Sequence, residues 1–137
     1  MALTFLVDTS VIKRLDLPQV RGVVEPLAVS GDLGRPAICD LEVGYSARSA
    51  REWDHLISAL GIFVRVETTA GHVRRALQVQ RLLSVRHQRG RKIPDLLVAA
   101  AAEELNIGVL HYDADFDLIM SVTGQQCTWV VTAGSVD

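Results

Sequence analysis

Short apolar runs alternate along the chain with longer segments in which apolar residues recur at helical spacing. The apolar runs predict five strands, at residues 3–7, 35–39, 62–66, 109–112 and 128–131. The longer segments predict helices, at residues 18–30, 41–47, 50–60, 69–88, 95–105 and 114–122. Helices that separate successive strands are typical of a parallel sheet with helices on its faces. The pattern therefore predicts an α/β fold of three layers, a central parallel sheet flanked by helices.

The predicted helices have recognisable starts. Asp40 and Thr69 are expected to cap the helices that follow them, and Pro94 opens the helix that is built on consecutive alanines. The long helix at 69–88 has one predicted core face, formed by Val73, Ala76, Leu77, Val79 and Leu83. Leu82 and Val85 lie outside this face, either as isolated surface residues or as a second apolar face for a partner chain.

Length and composition place the chain among small globular proteins. Its 137 residues suit one core, so residues 1–137 are predicted to form a single domain. A hydrophobic fraction of 49% and a mean hydropathy of +0.24 suit strands that are buried on both faces. No apolar stretch reaches the roughly 20 residues that span a bilayer, and no secretion signal is evident, so a cytoplasmic protein without membrane association is expected. Cys39 and Cys127 lack metal-ligand spacing and are expected to be reduced core residues.

Four carboxylates occur where strands are predicted to end or helices to begin. Asp8 and Asp113 each follow an apolar strand, and Glu42 and Asp95 fall in the first turns of predicted helices. If the strand order reverses beside the first strand, Asp8 and Asp113 flank the crevice where ligands bind in such sheets. Each acid alone could serve as a helix cap, but capping does not require the four to converge. Converging carboxylates either keep protons or hold a cation, because each like-charged pair at ~4 Å costs about 4 kcal/mol.

Asp115 and Asp117 add negative charge to the loop that follows the fourth strand. A site built only of carboxylate oxygens prefers a hard cation such as Mg²⁺ or Mn²⁺ to Zn²⁺. Such an ion keeps several waters and leaves room for a phosphate oxygen. The acids therefore favour metal-assisted hydrolysis of a phosphodiester.

Four sequence motifs together resemble those of the PIN domain. They are Asp-Thr-Ser at 8–10, Glu42, Pro-Asp-Leu-Leu-Val-Ala-Ala-Ala-Ala at 94–102 and His-Tyr-Asp-Ala-Asp-Phe at 111–116. Their order and spacing span nearly the whole chain and more narrowly resemble the VapC-type toxins of bacterial type II toxin–antitoxin pairs. The resemblance implies a Mg²⁺- or Mn²⁺-dependent endoribonuclease that inhibits growth, forms a homodimer and is blocked by a small antitoxin protein. Candidate antitoxin contacts are Leu82, Val85 and the helix that carries Trp53.

The resemblance also assigns roles to individual residues. The catalytic acidic quartet of the family corresponds to Asp8, Glu42, Asp95 and Asp113. The expected metal ligands are Asp8, Asp95, Asp113 and Asp115. Ser10 matches a hydroxyl that supports the site, although it could equally cap a helix. His111 stands where the family usually has threonine, so no hydroxyl acts there, and a packed or solvent-facing histidine is expected.

The densest basic segment ends three residues before Asp95. Its cations are Arg86, Arg89, Arg91 and Lys92. The segment is either a solvated loop after a helix C-terminus, where positive charge is favourable, or a grip on the phosphates of RNA. Its proximity to Asp95 favours RNA binding, which the overall net charge of −2 does not by itself promote.

Other functions fit the sequence less well. A phospho-acceptor receiver needs paired acids after the first strand and a lysine after the last one, whereas Asp8 is followed by Thr9 and Ser10 and the end of the chain has no lysine. A haloacid-dehalogenase-like phosphatase would need an acid at position 10. A housekeeping PIN nuclease of RNA processing is an open alternative, and so are transfer, messenger and ribosomal RNA as targets.

Overall fold

A parallel sheet lies at the centre of the molecule, which the computed structural model describes over residues 2–88 and 92–137. Its strands are β1 (Phe5–Val7), β2 (Leu33–Pro36), β3 (Val64–Val66), β4 (Gly108–His111) and β5 (Cys127–Trp129). Every pairing is parallel, and the strands lie in the order β3-β2-β1-β4-β5. The order reverses between β1 and β4, which leaves a crevice between their carboxyl ends. The predicted parallel sheet and its switch point are confirmed.

Helices cover both faces of the sheet. Among the described residues they are α1 (Thr9–Ile12), α2 (Pro18–Val29), α3 (Ala37–Tyr45), α4 (Ala50–Ala59), α5 (Ala70–Val85), α6 (Ile93–Glu104) and α7 (Asp115–Thr123), with a 3₁₀ turn at Leu60–Ile62. Neighbouring residues of a strand point to opposite faces. Leu6 accordingly joins a core cluster with Leu96 of α6, and Val7 joins the other cluster with Val20 of α2. The sheet is therefore the middle of three layers.

The boundary between β2 and α3 differs from the prediction. The strand lies at Leu33–Pro36 rather than 35–39, and α3 begins at Ala37 rather than 41. Pro36 has no amide to donate to the ladder, so it ends the strand and serves as the N-cap residue of α3. Asp40 does not cap the helix; it lies in the first turn and accepts a hydrogen bond of 2.9 Å from Nε of Arg35.

The predicted core face of α5 is wrong at two positions. Val73 and Leu77 are 47% and 60% exposed, and the buried residues of this helix are His72, Ala76, Val79 and Leu83. His72 sets this rotation, because its Nε2 lies 2.9 Å from Oε1 of Glu104 on α6 while its Nδ1 accepts from the amide of the N-cap residue Thr69. A polar side chain therefore occupies the inner face that hydrophobic periodicity assigned to apolar ones. Leu82 and Val85 are exposed, as predicted.

Helix α6 packs closely against the sheet and its neighbouring helices because the middle of the helix is made of small residues that are buried on all sides. Ala99, Ala100, Ala101 and Ala102 are all buried. Alanine favours helix and lets the backbone of the helix approach its neighbours. The first turn of α6, which carries Asp95, is consequently held near the carboxyl ends of β1 and β4.

Two further expectations concern the thiols and membranes. Cys39 and Cys127 are buried free cysteines, and burial raises the pKa of Cys127 to about 12. Both thiols are thus protonated core groups at neutral pH. Within residues 2–88 and 92–137, no helix is both long and apolar enough to cross a bilayer.

Candidate active site

The first part of the site is built where β1 ends. Asp8 is the N-cap residue of α1, and its Oδ2 accepts a hydrogen bond of 2.9 Å from the amide of Ser10. Oγ of Ser10 accepts a bond of 2.9 Å from the amide of Tyr112, which follows β4. Ser10 is therefore not the helix cap. It ties the end of β4 to α1 and so fixes the distance between the two loops that carry Asp8 and Asp113.

The second part of the site joins the start of α6 to the loop after β4. Carboxylate oxygens of Asp95, Asp113 and Asp115 lie within 4.8 Å of one another. Oδ1 of Asp113 accepts a bond of 2.9 Å from the amide of Asp115, which orients the Asp113 carboxylate. Asp95 is only 3% exposed, because α6 packs closely on the sheet. Asp95 is thus brought to Asp113 and Asp115 although the rest of α6 and β4 separate them in sequence.

Glu42 is the fourth acid of the site, but its position within its helix differs from the predicted one. Since α3 begins at Ala37, Glu42 lies beyond its first turn, so interaction with the helix dipole does not account for an acid at this position. Oγ1 of Thr9 donates a bond of 2.8 Å to Oε1 of Glu42. Burial raises the pKa of Glu42, the bond from Thr9 opposes this rise, and the charge of Asp8 adds to it.

All four acids of the predicted quartet line one cleft of about 360 Å³. Asp8 and Glu42 lie on one side with Cys39, each offering an atom within 4.8 Å of the others, and the group that contains Asp95 and Asp113 forms the other side. Asp117 does not join them, because its carboxylate accepts a bond of 3.1 Å from Nε1 of Trp129. The cleft is strongly acidic at its base.

The protonation of the cleft reflects burial and crowding. Burial is the main cause that raises the pKa of Asp95 to about 8, and the nearby charge of Asp8 adds to it. Burial alone would also raise the pKa of Asp113. The hydrogen bond from Lys92 and the amide of Asp115 outweigh burial and hold the pKa of Asp113 below its ordinary value. Without a cation in the cleft, Asp95 therefore keeps a proton at neutral pH.

The donor set fits a divalent ion. Oδ1 of Asp8 and Oδ2 of Asp95 are buried and accept no hydrogen bond from a described group. Buried carboxylate oxygens without a donor are costly, and a bound cation removes that cost. Because the ligands on offer are carboxylate oxygens, the cleft suits a hard ion that keeps part of its water shell.

The basic residues around the cleft were only partly foreseen. Lys13 and Arg14 line the cleft, although neither was singled out from the sequence. Arg14 is held by the carbonyl of Ser10 at 2.8 Å and by Asp137 at 3.0 Å. The available signal was the position of this basic pair directly after the short helix α1, which begins at the residue after Asp8.

The predicted basic segment is described only at its two ends. Arg86 donates a bond of 3.4 Å to the carbonyl of Ser121, at the surface. Lys92 turns towards the acids and donates a bond of 2.6 Å to Oδ2 of Asp113. Arg89 and Arg91 lie outside the described residues.

His111 is a packed residue, as expected. Its ring is fully buried against Phe116 and Trp129, with centroid separations of 4.9 and 5.0 Å. Nδ1 accepts a bond of 3.2 Å from the amide of Asp113, and burial lowers the pKa of the imidazole. A neutral ring therefore supports the loop of Asp113 from beneath, where the resemblance would have placed a hydroxyl.

The raised pKa of Asp95 makes the stability of the metal-free protein dependent on pH. Unfolding returns this pKa from about 8 to about 3.8, so the unfolded chain binds fewer protons between those values. The free energy of unfolding should consequently fall as pH rises through this window. Urea denaturation in EDTA should show that wild type loses stability relative to Asp95→Asn between pH 5 and 8. A constant difference between the two proteins would contradict the raised pKa.

Comparison with known proteins identifies the family of the chain. The PIN domain family model matches residues 5–120. The chain is 64% identical to Ribonuclease VapC51 of Mycobacterium tuberculosis over 137 residues, which is 100% of both chains. It is 43% identical to Ribonuclease VapC21 of the same species over 98% of this chain and 99% of the relative.

Similarity to solved structures concerns the fold. VapBC2 from Rickettsia felis, bound to a DNA fragment from their promoter, matches with a TM-score of 0.76 at 14% identity, over 94% of this chain and 99% of that one. The match of the family model over most of the chain, together with two relatives above 40% identity, settles the classification. The chain belongs to the PIN domain family and, within it, to the VapC ribonucleases.

Proposed function

We propose that this protein is a Mg²⁺- or Mn²⁺-dependent endoribonuclease that acts as the toxin of a type II toxin–antitoxin pair. The observation that carries the proposal is the convergence of Asp8, Glu42, Asp95 and Asp113 on one cleft, in a chain 64% identical to a protein named a ribonuclease. The similarity of the whole chain to VapC proteins favours the toxin over a housekeeping nuclease of RNA processing.

The ion would be held by Asp8, Asp95, Asp113 and Asp115. The buried oxygens of Asp8 and Asp95, which accept no hydrogen bond from any described residue, support this assignment. When bound, the ion supplies Lewis-acid activation of the attacking water and screens the charge that develops on the scissile phosphate. Asp95 must release its proton before it can act as a ligand, because a protonated carboxyl competes poorly for a cation.

The remaining residues of the cleft position the reaction. Glu42 is fixed by the hydroxyl of Thr9, so one of its oxygens is left to orient a water on the side of Asp8. Lys13 and Arg14 lie at the cleft, where they can contact the phosphates on either side of the cleaved bond. The positive charges of Arg86, Arg89, Arg91 and Lys92 are proposed to favour RNA binding by attraction to its phosphates.

Removal of the metal should stop the reaction. After exhaustive treatment with EDTA, cleavage of a fluorophore–quencher RNA oligonucleotide should fall to background. Added Mg²⁺ or Mn²⁺ should restore the rate, whereas Ca²⁺ should restore little, because it is larger and takes more ligands. Full activity in the chelated protein would overturn the proposed reaction class.

The partners follow from the same family. An antitoxin of small size is proposed to cover the apolar surface between α3 and α4. That surface is a groove in which Leu41, Tyr45 and Trp53 are 71%, 91% and 47% exposed. Leu82 and Val85 of α5 offer a second apolar surface, suited to the antitoxin or to a homodimer contact.

A further inference from the structure

The side chain of Lys92 reaches the acids of the cleft. Lys92 is the residue directly before α6, and its Nζ lies 2.6 Å from Oδ2 of Asp113 and 3.9 Å from Oδ2 of Asp95. The side chain of Lys92 is 58% exposed, whereas those of Asp95 and Asp113 are 4% and 17% exposed. An ammonium thus enters from the solvent side and ends between two of the proposed metal ligands.

Lys92 holds the oxygen that Asp113 would offer to an ion. Oδ1 of Asp113 already accepts the amide of Asp115, and Oδ2 accepts the ammonium. An ammonium only donates hydrogen bonds, so it occupies a lone pair of this oxygen. A divalent ion on the same oxygen would face a like charge at close range in a poorly solvated cleft. The two cations therefore compete for Asp113.

The backbone permits Lys92 to leave without disturbing the site. The carbonyl of Lys92 accepts from the amides of Asp95 and Leu96 at 3.1 and 3.4 Å, so the main chain is fixed by the start of α6. The charged group is carried by a flexible four-carbon stem that is largely in solvent. Because more than half of the side chain is exposed, its movement costs little buried packing.

We infer that Lys92 is the resident counter-cation of this site, whose ammonium holds Asp113 in the metal-free protein and is displaced from it by the divalent ion. This inference rests on the proposed function, since it requires the ion to bind these acids. The opposite role is a permanent structural pair, in which Lys92 places Asp113 for the ion. The two roles predict opposite effects of removing the lysine on metal affinity.

Calorimetric titration with Mn²⁺ separates the two roles. Lys92→Met should bind Mn²⁺ about tenfold more tightly than wild type at the same pH and ionic strength, because the ion no longer breaks a charge-assisted hydrogen bond. Lys13→Met is the matched control, since it removes one charge from the same cleft. Lys13 makes no ion pair or side-chain hydrogen bond with a carboxylate in the described parts of the chain. It should tighten binding by less than about threefold.

Nuclear magnetic resonance of the wild type observes the displacement directly, because Lys13 and Lys92 are the only lysines in the sequence. Titration with Mg²⁺ should move the ε-carbon and ζ-nitrogen resonances of Lys92 towards those of a free lysine, with little change for Lys13. Unchanged Lys92 resonances in the presence of bound ion, or weaker Mn²⁺ binding by Lys92→Met, would overturn the inference and leave the proposed function intact. Absence of metal binding in every protein would instead overturn both.

Discussion

Asp8→Asn is expected to reduce RNA cleavage by more than about 100-fold, since even the loss of a group that only supports a metal ligand often costs 10- to 100-fold. Asp8 lies at the switch point of the sheet, is 3% exposed and has one buried oxygen that accepts no hydrogen bond within residues 2–88 and 92–137. Asparagine keeps the shape of the side chain but removes the negative charge that the cation requires. The rate should be measured on a fluorescent RNA at saturating Mg²⁺.

The same substitution should leave the fold intact, which makes the result interpretable. Asparagine is as good an N-cap residue as aspartate, so the bond from the amide of Ser10 is retained. Asp16→Asn is a matched control, because Asp16 is exposed and lies outside the cleft lining. In cells, Asp8→Asn should also relieve growth inhibition on induction, and Asp16→Asn should not. Cleavage by Asp8→Asn at the wild-type rate would remove Asp8 from the metal site.

Phe116→Ala should destabilise the protein by about 3–5 kcal/mol, the usual range for emptying a buried aromatic site. Phe116 is carried by α7, and its ring is fully buried and packs on His111. The backbone amide of Phe116 donates a hydrogen bond of 3.2 Å to the carbonyl of Asp113. The cavity would thus open directly beneath the loop that carries a proposed metal ligand. Urea denaturation followed by circular dichroism provides the measurement.

Met120→Ala on the same helix is the control for Phe116→Ala. Met120 is 36% exposed, so its truncation should cost less than about 1 kcal/mol. Equal losses for the two variants would mean that α7 does not bury the aromatic ring as described. If Phe116→Ala folds too weakly to study, Phe116→Leu keeps part of the volume and should give a smaller loss in the same direction.

The sequence allowed the sheet and its switch point to be predicted because each element has a strong local pattern. Short apolar strands, separated by helices, leave few topologies open, and right-handed crossovers reduce them further. The rotation of α5 could not be predicted in the same way. His72 faces inward because Glu104, 32 positions later, meets its imidazole, and no local periodicity contains that contact.

In the site too, some positions follow from local sequence patterns and others depend on contacts between distant residues. Asp8, Asp95 and Asp113 could be placed together because each terminates or starts an element at one edge of the sheet. The environment of Glu42 was harder to predict, since it depends on Pro36 ending β2 and starting α3 earlier than the apolar run suggested. Lys92 was assigned to RNA with its basic neighbours. Its inward turn depends on Asp113, which is distant in sequence and becomes visible only in three dimensions.

The alanine-lined contact of α6 has a consequence for how mutational data on this protein should be read. A side chain larger than a methyl at Ala99, Ala101 or Ala102 would push the helix outward and carry Asp95 with it. In a saturation-mutagenesis screen for loss of toxicity, substitutions at these alanines would then be as damaging as substitutions of the acids, although the alanines take no part in the chemistry. Thermal melting of each variant would separate the two classes, because only the alanine substitutions should also lower the midpoint.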